Sequence, residues 1–232
     1  MNSNRLPSSG GFEAVFFDLD GTLVDTAPDM VAILTRMQDA RNQPQLPYTT
    51  TRNSVSNGAL GLLRLGFPDA SEDELQLLLV EYLKNYENAL CVNSEVFSPL
   101  RDLLETFTSN QKVWGIVTNK PQRMTNPLIE KLDLAQHSVC AVSGDTLAER
   151  KPHPAPLLHA AELARVAPES AIYVGDAARD IEAGRAAGMA TVAVGYGYNN
   201  EGDNPADWGA DEFAADTISL MKLLLRAVDL DI

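Results

Sequence analysis

The sequence predicts an α/β fold: a parallel sheet covered by helices, with an all-helical segment inserted after the first strand. Three observations carry this. Short apolar runs alternate with amphipathic helical stretches from residue 100 onward, the βαβ rhythm of a parallel sheet. From Thr26 to about Leu90 the pattern is helical, with no convincing strand. Polar residues follow the apolar runs, where open parallel sheets bind ligands.

The first strand falls at residues 13–18, on Ala14-Val15-Phe16-Phe17. Ala27-Pro28-Asp29 suits a helix start, and Met30, Leu34 and Met37 share a face of that helix. Residues 42–47, with Pro44 and Pro47, read as a breaker loop. A second helix lies near 58–65, closed by Gly66-Phe67-Pro68. A third starts near Ser71, where Ser71-Glu72-Asp73-Glu74 has the form of a capping box, and carries Leu75, Leu78, Leu79, Tyr82 and Tyr86. After Pro99 come a helix at 100–107, a strand at 113–117, a helix after Pro121 and a short strand at 138–142. A helix after Pro152-His153-Pro154, a strand at 171–174, a helix around 180–187 and a strand at 191–194 follow. The result is a Rossmann-like core at residues 12–24 and 96–232, a helical insertion at 25–95, and a flexible N-terminus at 1–11.

The 232 residues, 45% hydrophobic and 22% charged, suffice for a sizeable core. A net charge of −14 argues against nucleic acid or an anionic membrane as partner. An anionic substrate would therefore depend on a local metal and a few basic side chains. Cys91 and Cys140 lack metal-ligand spacing and read as reduced thiols. The polar N-terminus has no apolar signal core, and no apolar run is long enough to span a bilayer. The expected location is the cytoplasm, and the expected state is a monomer or weak homodimer.

Asp18-Leu19-Asp20-Gly21-Thr22 directly follows the first strand. Two carboxylates so close repel and raise each other's pKa, so a cation between them is expected. Thr118-Asn119 ends the second strand of the core, and Gly175-Asp176 ends a later one, with Asp180 one turn on. Lys151 sits in a loop between. Each group suits phosphate-ester chemistry. A carboxylate can attack phosphorus and form an acyl phosphate. A second can protonate the leaving oxygen and then deprotonate water. A hydroxyl, an amide and a lysine can hold the non-bridging oxygens, and an acidic cluster can hold Mg²⁺. Taken singly, these residues also suit helix caps, dipole partners or solvated surface groups. Their joint occurrence and order carry the reading.

The four motifs, Asp18-Leu19-Asp20-Gly21-Thr22, Thr118-Asn119, Lys151-Pro152 and Gly175-Asp176 with Asp180, resemble those of the haloacid dehalogenase-like superfamily. The inserted helices resemble its small α-helical cap domain. Thr118-Asn119-Lys120-Pro121 and Lys151-Pro152-His153-Pro154 are similar to the phosphoglycolate-phosphatase-like group. Tyr196-Gly197-Tyr198 and Asp203-Asn204-Pro205 with Trp208-Gly209-Ala210-Asp211 resemble the branch of N-acetylmuramic acid 6-phosphate phosphatases, which act in peptidoglycan recycling. Ser54-Val55-Ser56-Asn57-Gly58-Ala59 resembles a glycine-containing cap element of both branches.

The resemblance implies a Mg²⁺-dependent phosphatase acting on a small phosphate ester, 2-phosphoglycolate or N-acetylmuramate 6-phosphate. It implies Asp18 as nucleophile and Mg²⁺ ligand, and Asp20 as general acid/base that ligates Mg²⁺ through its carbonyl. Thr118 would bind the phosphoryl group with Asn119 beside it, and Lys151 would neutralise the phosphate. Asp176 would ligate Mg²⁺; Asp180 would ligate it through water or orient Lys151. In the insertion, Arg52, Ser56 and Asn57 are candidate substrate contacts, with plain structural roles as the alternative. Arg179 reads as a solvated residue or a supporting one, and Trp208 as a packing residue. A sugar-phosphate mutase of the same superfamily and a non-catalytic sugar-phosphate sensor are rival readings. A haloalkanoate dehalogenase has no use for Asp20 or the metal-binding acids.

Overall fold

Residues that are apolar and covered on both faces make the sheet. Ala14, Val15, Phe16 and Phe17 are all fully buried, as a central strand of a parallel sheet must be. The computed structural model describes residues 11–200 and 202–230, so nearly all of the N-terminus expected at 1–11 lies outside the described residues. In chain order the elements are β1 (Ala14–Phe17), β2 (Val24–Asp25), α1 (Ala27–Asp39), α2 (Tyr48–Asn53), α3 (Gly58–Gly66) and α4 (Glu72–Asn88). Then come β3 (Glu95–Val96), α5 (Leu100–Ser109), β4 (Val113–Val117), α6 (Gln122–Lys131), β5 (Ala141–Val142) and α7 (Ala155–Ala164). The chain continues with β6 (Ala171–Gly175), α8 (Ala178–Ala187), β7 (Ala190–Val194), β8 (Glu212–Ala214) and α9 (Thr217–Ala227).

The main sheet has the order β5-β4-β1-β6-β7-β8, with every pairing parallel. Phe17 lies opposite Ile116 on one side and Val174 on the other. Alternate side chains of β1 enter different cores. Val15 and Phe17 pack with the apolar faces of α5, α6 and α9. Ala14 and Phe16 pack with Leu157, Ala160 and Ala183 of α7 and α8. Because β4, β1 and β6 are adjacent and parallel, the residues that follow them emerge at one edge.

Between β1 and β4 the chain builds α1–α4. Met30, Leu34 and Met37 of α1 share one buried cluster with Leu62 and Leu63 of α3 and Leu75, Leu78, Tyr82 and Tyr86 of α4. The capping box forms: Ser71 Oγ accepts from Glu74 N (3.3 Å), and the Glu74 carboxylate accepts from Ser71 N (2.8 Å).

The sequence reading missed some elements. Residues 26–90 hold helices and no strand, as expected, but β2 and β3 pair antiparallel just outside that stretch, Val24 with Val96 and Asp25 with Glu95. Two-residue strands are too short to show a period of two. Helix α2, Tyr48-Thr49-Thr50-Thr51-Arg52-Asn53, is rich in threonine, which disfavours helix intrinsically. The expected strand at 138–142 shrinks to Ala141–Val142. Strand β8 and helix α9 close the sheet edge beyond the last element expected. Both cysteines are free thiols, Cys140 buried and Cys91 half-buried. Among the described residues no helix is long and apolar enough to cross a membrane.

Asp29 ties α1 to the return of the insertion. Its buried carboxylate accepts from the backbone N–H groups of Val92 (2.9 Å), Asn93 (2.8 Å) and Ser94 (3.0 Å), and from Ser94 Oγ (2.6 Å). Asp29→Ala is expected to lower unfolding stability by about 3 kcal/mol, with Asp29→Asn recovering part, as read from urea midpoints. A loss within the scatter of ordinary surface substitutions would show that the loop is held otherwise.

Candidate active site

A buried lysine organises the carboxyl edge of the sheet. Lys151 enters from the loop between β5 and α7, and its side chain is fully buried. Its Nζ lies 2.9 Å from Asp18 Oδ1 and 2.8 Å from Asp180 Oδ1. It donates to the Val117 carbonyl (3.0 Å) and to Tyr173 Oη (2.7 Å), which itself donates to Val117 O (2.7 Å). Four oxygens thus surround a group with three protons. The two neutral oxygens take directed hydrogen bonds, and the two carboxylates balance the charge. Burial pulls the Lys151 pKa down, but Asp18 and Asp180 outweigh it, so the ammonium form is favoured.

Three buried acids meet beside it. Asp18, Asp176 and Asp180 each present an oxygen within 4.8 Å of the others. Asp18 Oδ1 also accepts from Leu19 N (2.7 Å). Its Oδ2 takes no protein hydrogen bond among the described residues. Asp176 accepts from Thr22 Oγ1 (3.2 Å), Tyr198 N (2.8 Å) and Ser56 Oγ (3.3 Å). Burial, then the charges of Asp18 and Asp180, push Asp176 up to about 7. Burial also raises Asp180, against the pull of Lys151. Asp180 Oδ2 caps α8 by accepting from Ala177 N (3.0 Å).

Glycines bring backbone against these acids. A Cβ on Gly21 or Gly197 would overlap Asp176, and Gly21 holds a left-handed φ of +84°. Three carboxylates against one lysine leave a local excess of negative charge, and oxygen-only donors suit a hard divalent cation. The residues fit such a cation.

Asp20 lies beside this group in a cage of its own. Its Oδ1 accepts from Thr26 Oγ1 (2.6 Å) and from Lys120 Nζ (2.9 Å). Lys120 Nζ also donates to Tyr86 Oη (3.0 Å) and lies 4.6 Å from that ring's centroid. Burial opposes the Lys120 charge, and Asp20 and Tyr86 more than restore it. A core lysine therefore connects the second acid to helix α4.

These groups open into a cavity of about 480 Å³ lined by Asp18, Asp20, Thr118 and Asn119 from below and by Ser56 and Asn57 from the insertion. Of the three-acid cluster, Asp18 lines this cavity, and Asp176 lines an adjoining hollow of about 200 Å³ that shares Ser56, Asn57 and Arg179 with it. Thr118 Oγ1 accepts from Lys120 N (3.2 Å), which leaves its proton free to donate. Asn119 lies beside Thr118 in the cavity lining. Its amide is engaged by the Lys151 peptide, accepting from Lys151 N (3.1 Å) and donating to Lys151 O (2.9 Å). The side chain thereby fixes the lysine loop. Arg52 is absent from this cavity's lining. It donates to the carbonyls of Gly197 (3.1 Å) and Tyr196 (3.2 Å) and lies over the Tyr198 ring. Asn57 donates to Asn200 Oδ1 (2.9 Å) as well as lining the cavity.

Sequence reasoning gave no role to Lys120, Tyr86, Tyr173 or Arg150. Lys120 follows Thr118-Asn119 directly, which was the available signal. Tyr86 looked like one more apolar position on a helix, and Tyr173 like a strand residue. The Tyr196-Gly197-Tyr198 turn was noted without a role. Tyr198 Oη accepts from the N–H groups of Thr26 (2.7 Å) and Ala27 (2.9 Å) at the start of α1, and Tyr196 Oη donates to Thr22 O (2.7 Å).

Comparison with known proteins identifies the family. Residues 15–194 match the haloacid dehalogenase-like hydrolase family. The chain is 39% identical over 216 residues to an N-acetylmuramic acid 6-phosphate phosphatase of Pseudomonas putida, covering 93% of this chain and 97% of the relative. It is 41% identical over 206 residues to a phosphoglycolate phosphatase of Xylella fastidiosa, covering 88% and 90%. A crystal structure of a predicted phosphoglycolate phosphatase from Haemophilus somnus superposes with a TM-score of 0.81 at 27% identity, covering 92% and 98%. The chain belongs to the haloacid dehalogenase-like hydrolases and is a phosphoric monoester hydrolase.

Proposed function

We propose that the protein is a Mg²⁺-dependent phosphatase that hydrolyses N-acetylmuramate 6-phosphate or 2-phosphoglycolate through an aspartyl-phosphate on Asp18. The observation that carries this is the state of Asp18. One oxygen is held by Leu19 N and Lys151, and the other carries no protein hydrogen bond, beside an acid anchored independently. A carboxylate so fixed is aligned for in-line attack. Asp18 would attack phosphorus while the leaving alcohol takes a proton from Asp20. Asp20 would then take a proton from the water that attacks the acyl phosphate, releasing phosphate and restoring Asp18. Thr118 would donate to the phosphoryl oxygens, and Lys151 would neutralise charge on Asp18 and the phosphoryl group. Asp18, Asp176, the Asp20 carbonyl and Asp180, the last directly or through water, would hold Mg²⁺, which would supply further charge neutralisation.

Residues 25–95 act in this reading as a cap over a core of residues 12–24 and 96–232, excluding water and selecting the leaving group. The cavity volume lies in the range of pockets for drug-sized ligands, about 300–1,000 Å³, more than a two-carbon ester needs. This and the Pseudomonas relative favour N-acetylmuramate 6-phosphate, which would place the enzyme in peptidoglycan recycling in the cytoplasm.

In a panel of that ester, 2-phosphoglycolate and several hexose phosphates, one of the two named esters is expected to release phosphate with the highest kcat/KM. If neither ranks near the top, the substrate reading fails. Asp18→Asn is expected to lower kcat by at least about 10³-fold while circular dichroism stays native. Substantial Mg²⁺-dependent turnover in that variant would sink the nucleophile assignment.

A third expectation concerns the metal. With Asp176 raised to about 7, the metal-free native state binds a proton as pH falls through that value, whereas the unfolded chain binds it only in the ordinary carboxylate range. This group therefore makes the metal-free protein more stable at pH 5.5 than at pH 8. Mg²⁺ must displace the proton, so the rise in Tm on adding Mg²⁺ should be large at pH 8 and small at pH 5.5. Equal shifts at both values would contradict Asp176 as a ligand.

A further inference from the structure

Two cations at the cavity, Arg150 and Arg179, form no ion pair among the described residues. Of the basic side chains that line it, Lys120 pairs with Asp20. Arg179, on the first turn of α8, forms no close ion pair but lies in the field of Asp180, Asp18 and Asp176. Arg150 also lines the cavity, and among the described residues its side chain has neither an ion pair nor a hydrogen bond to the protein. In a chain with 32 acidic and 18 basic side chains, a partner would be easy to supply. A solvated surface arginine is the plain alternative, and Arg150 is indeed exposed.

Its mounting argues for more than that. The Arg150 carbonyl accepts from His153 N (3.0 Å). The next peptide is clamped on both sides by Asn119, and the Lys151 side chain is locked in the core. Arg150 therefore leaves a rigid point of the chain immediately beside the lysine that neutralises the phosphoryl group. A guanidinium is a planar fork suited to bidentate pairing with an oxyanion, and a fixed base reduces the entropy lost on pairing. The phosphoryl group is already served by Lys151 and Thr118. The insertion's side of the cavity is largely apolar, with Val55, Leu60, Leu79 and Leu83, and offers no competing cation.

We infer that Arg150 is a specificity-determining residue that pairs with a carboxylate on the leaving alcohol, so that the enzyme selects phosphomonoesters carrying a second anionic group. The inference rests on the phosphatase reading above and deepens it. Both esters named there are acids, and Arg150 would serve either.

The test compares each acid ester with its carboxamide, which keeps shape and removes charge. The wild-type protein is expected to prefer the acid by roughly 10-fold or more in kcat/KM, the scale of a charged hydrogen-bonding partner, and mainly through KM. R150A should bring the preference close to unity with an unchanged Tm, and R150K should keep part of it. The inference is overturned if the wild type shows no preference, if the preference survives in R150A, or if R150A weakens acid and amide equally. Absence of phosphate release from every ester, in wild-type protein with Mg²⁺ present, would instead overturn the phosphatase reading and this inference with it.

Discussion

The ammonium of Lys151 is the contact on which the other parts of the site depend. A fully buried charge is tolerated only when its partners are close and well placed, and removing one partner from such a group costs several kcal/mol. Here the partners come from four different elements. Asp18 follows β1, Val117 ends β4, Tyr173 lies in β6, and Asp180 lies on α8. Satisfying one side chain therefore fixes the mutual position of three strands and a helix. Asn119 extends the constraint to the backbone, because its amide grips the Lys151 peptide from the end of β4.

Around that lysine the acids outnumber their counter-charges. Lys151 faces two carboxylates and Lys120 faces one, while Asp176 has only neutral hydrogen-bond donors. Its raised pKa is the physical expression of that shortage. Glycines at 21 and 197 let the backbone approach Asp176, and Gly175 lets it approach Asp180, since a Cβ at any of the three would overlap the acid. Such an arrangement stores negative charge that suits a divalent cation. It sits within a protein whose overall charge would otherwise repel an anionic substrate.

The helical insertion shares residues with the chemistry. Ser56 donates to Asp176, Tyr86 accepts from the lysine that holds Asp20, and Tyr198 anchors the first turn of α1 while its backbone N–H holds Asp176. Arg52 joins the insertion to the turn at 196–198. A displacement of the insertion would therefore alter the surroundings of two carboxylates as well as the access of water.

The βαβ order, the buried strands and the carboxyl-edge location of Asp18, Thr118, Asp176 and Asp180 were legible in the sequence, because periodicity and strand ends are local properties. So was the capping box at Ser71. The two-residue strands β2 and β3 and the threonine-rich helix α2 were not, since each is stabilised by packing against distant segments and carries little local signal. The same division runs through the site. Residue type and order singled out the acids, the threonine and the lysine that meet at the carboxyl edge of the sheet. Only the tertiary structure decided that Asn119 and Arg52 are engaged by backbone, that Lys120 and Tyr86 hold Asp20, and that Arg150 reaches the cavity without a partner among the described residues. Those outcomes depend on which side chains meet across 30 to 150 positions of chain, and burial forces each buried polar group to take the partner that the fold brings within reach.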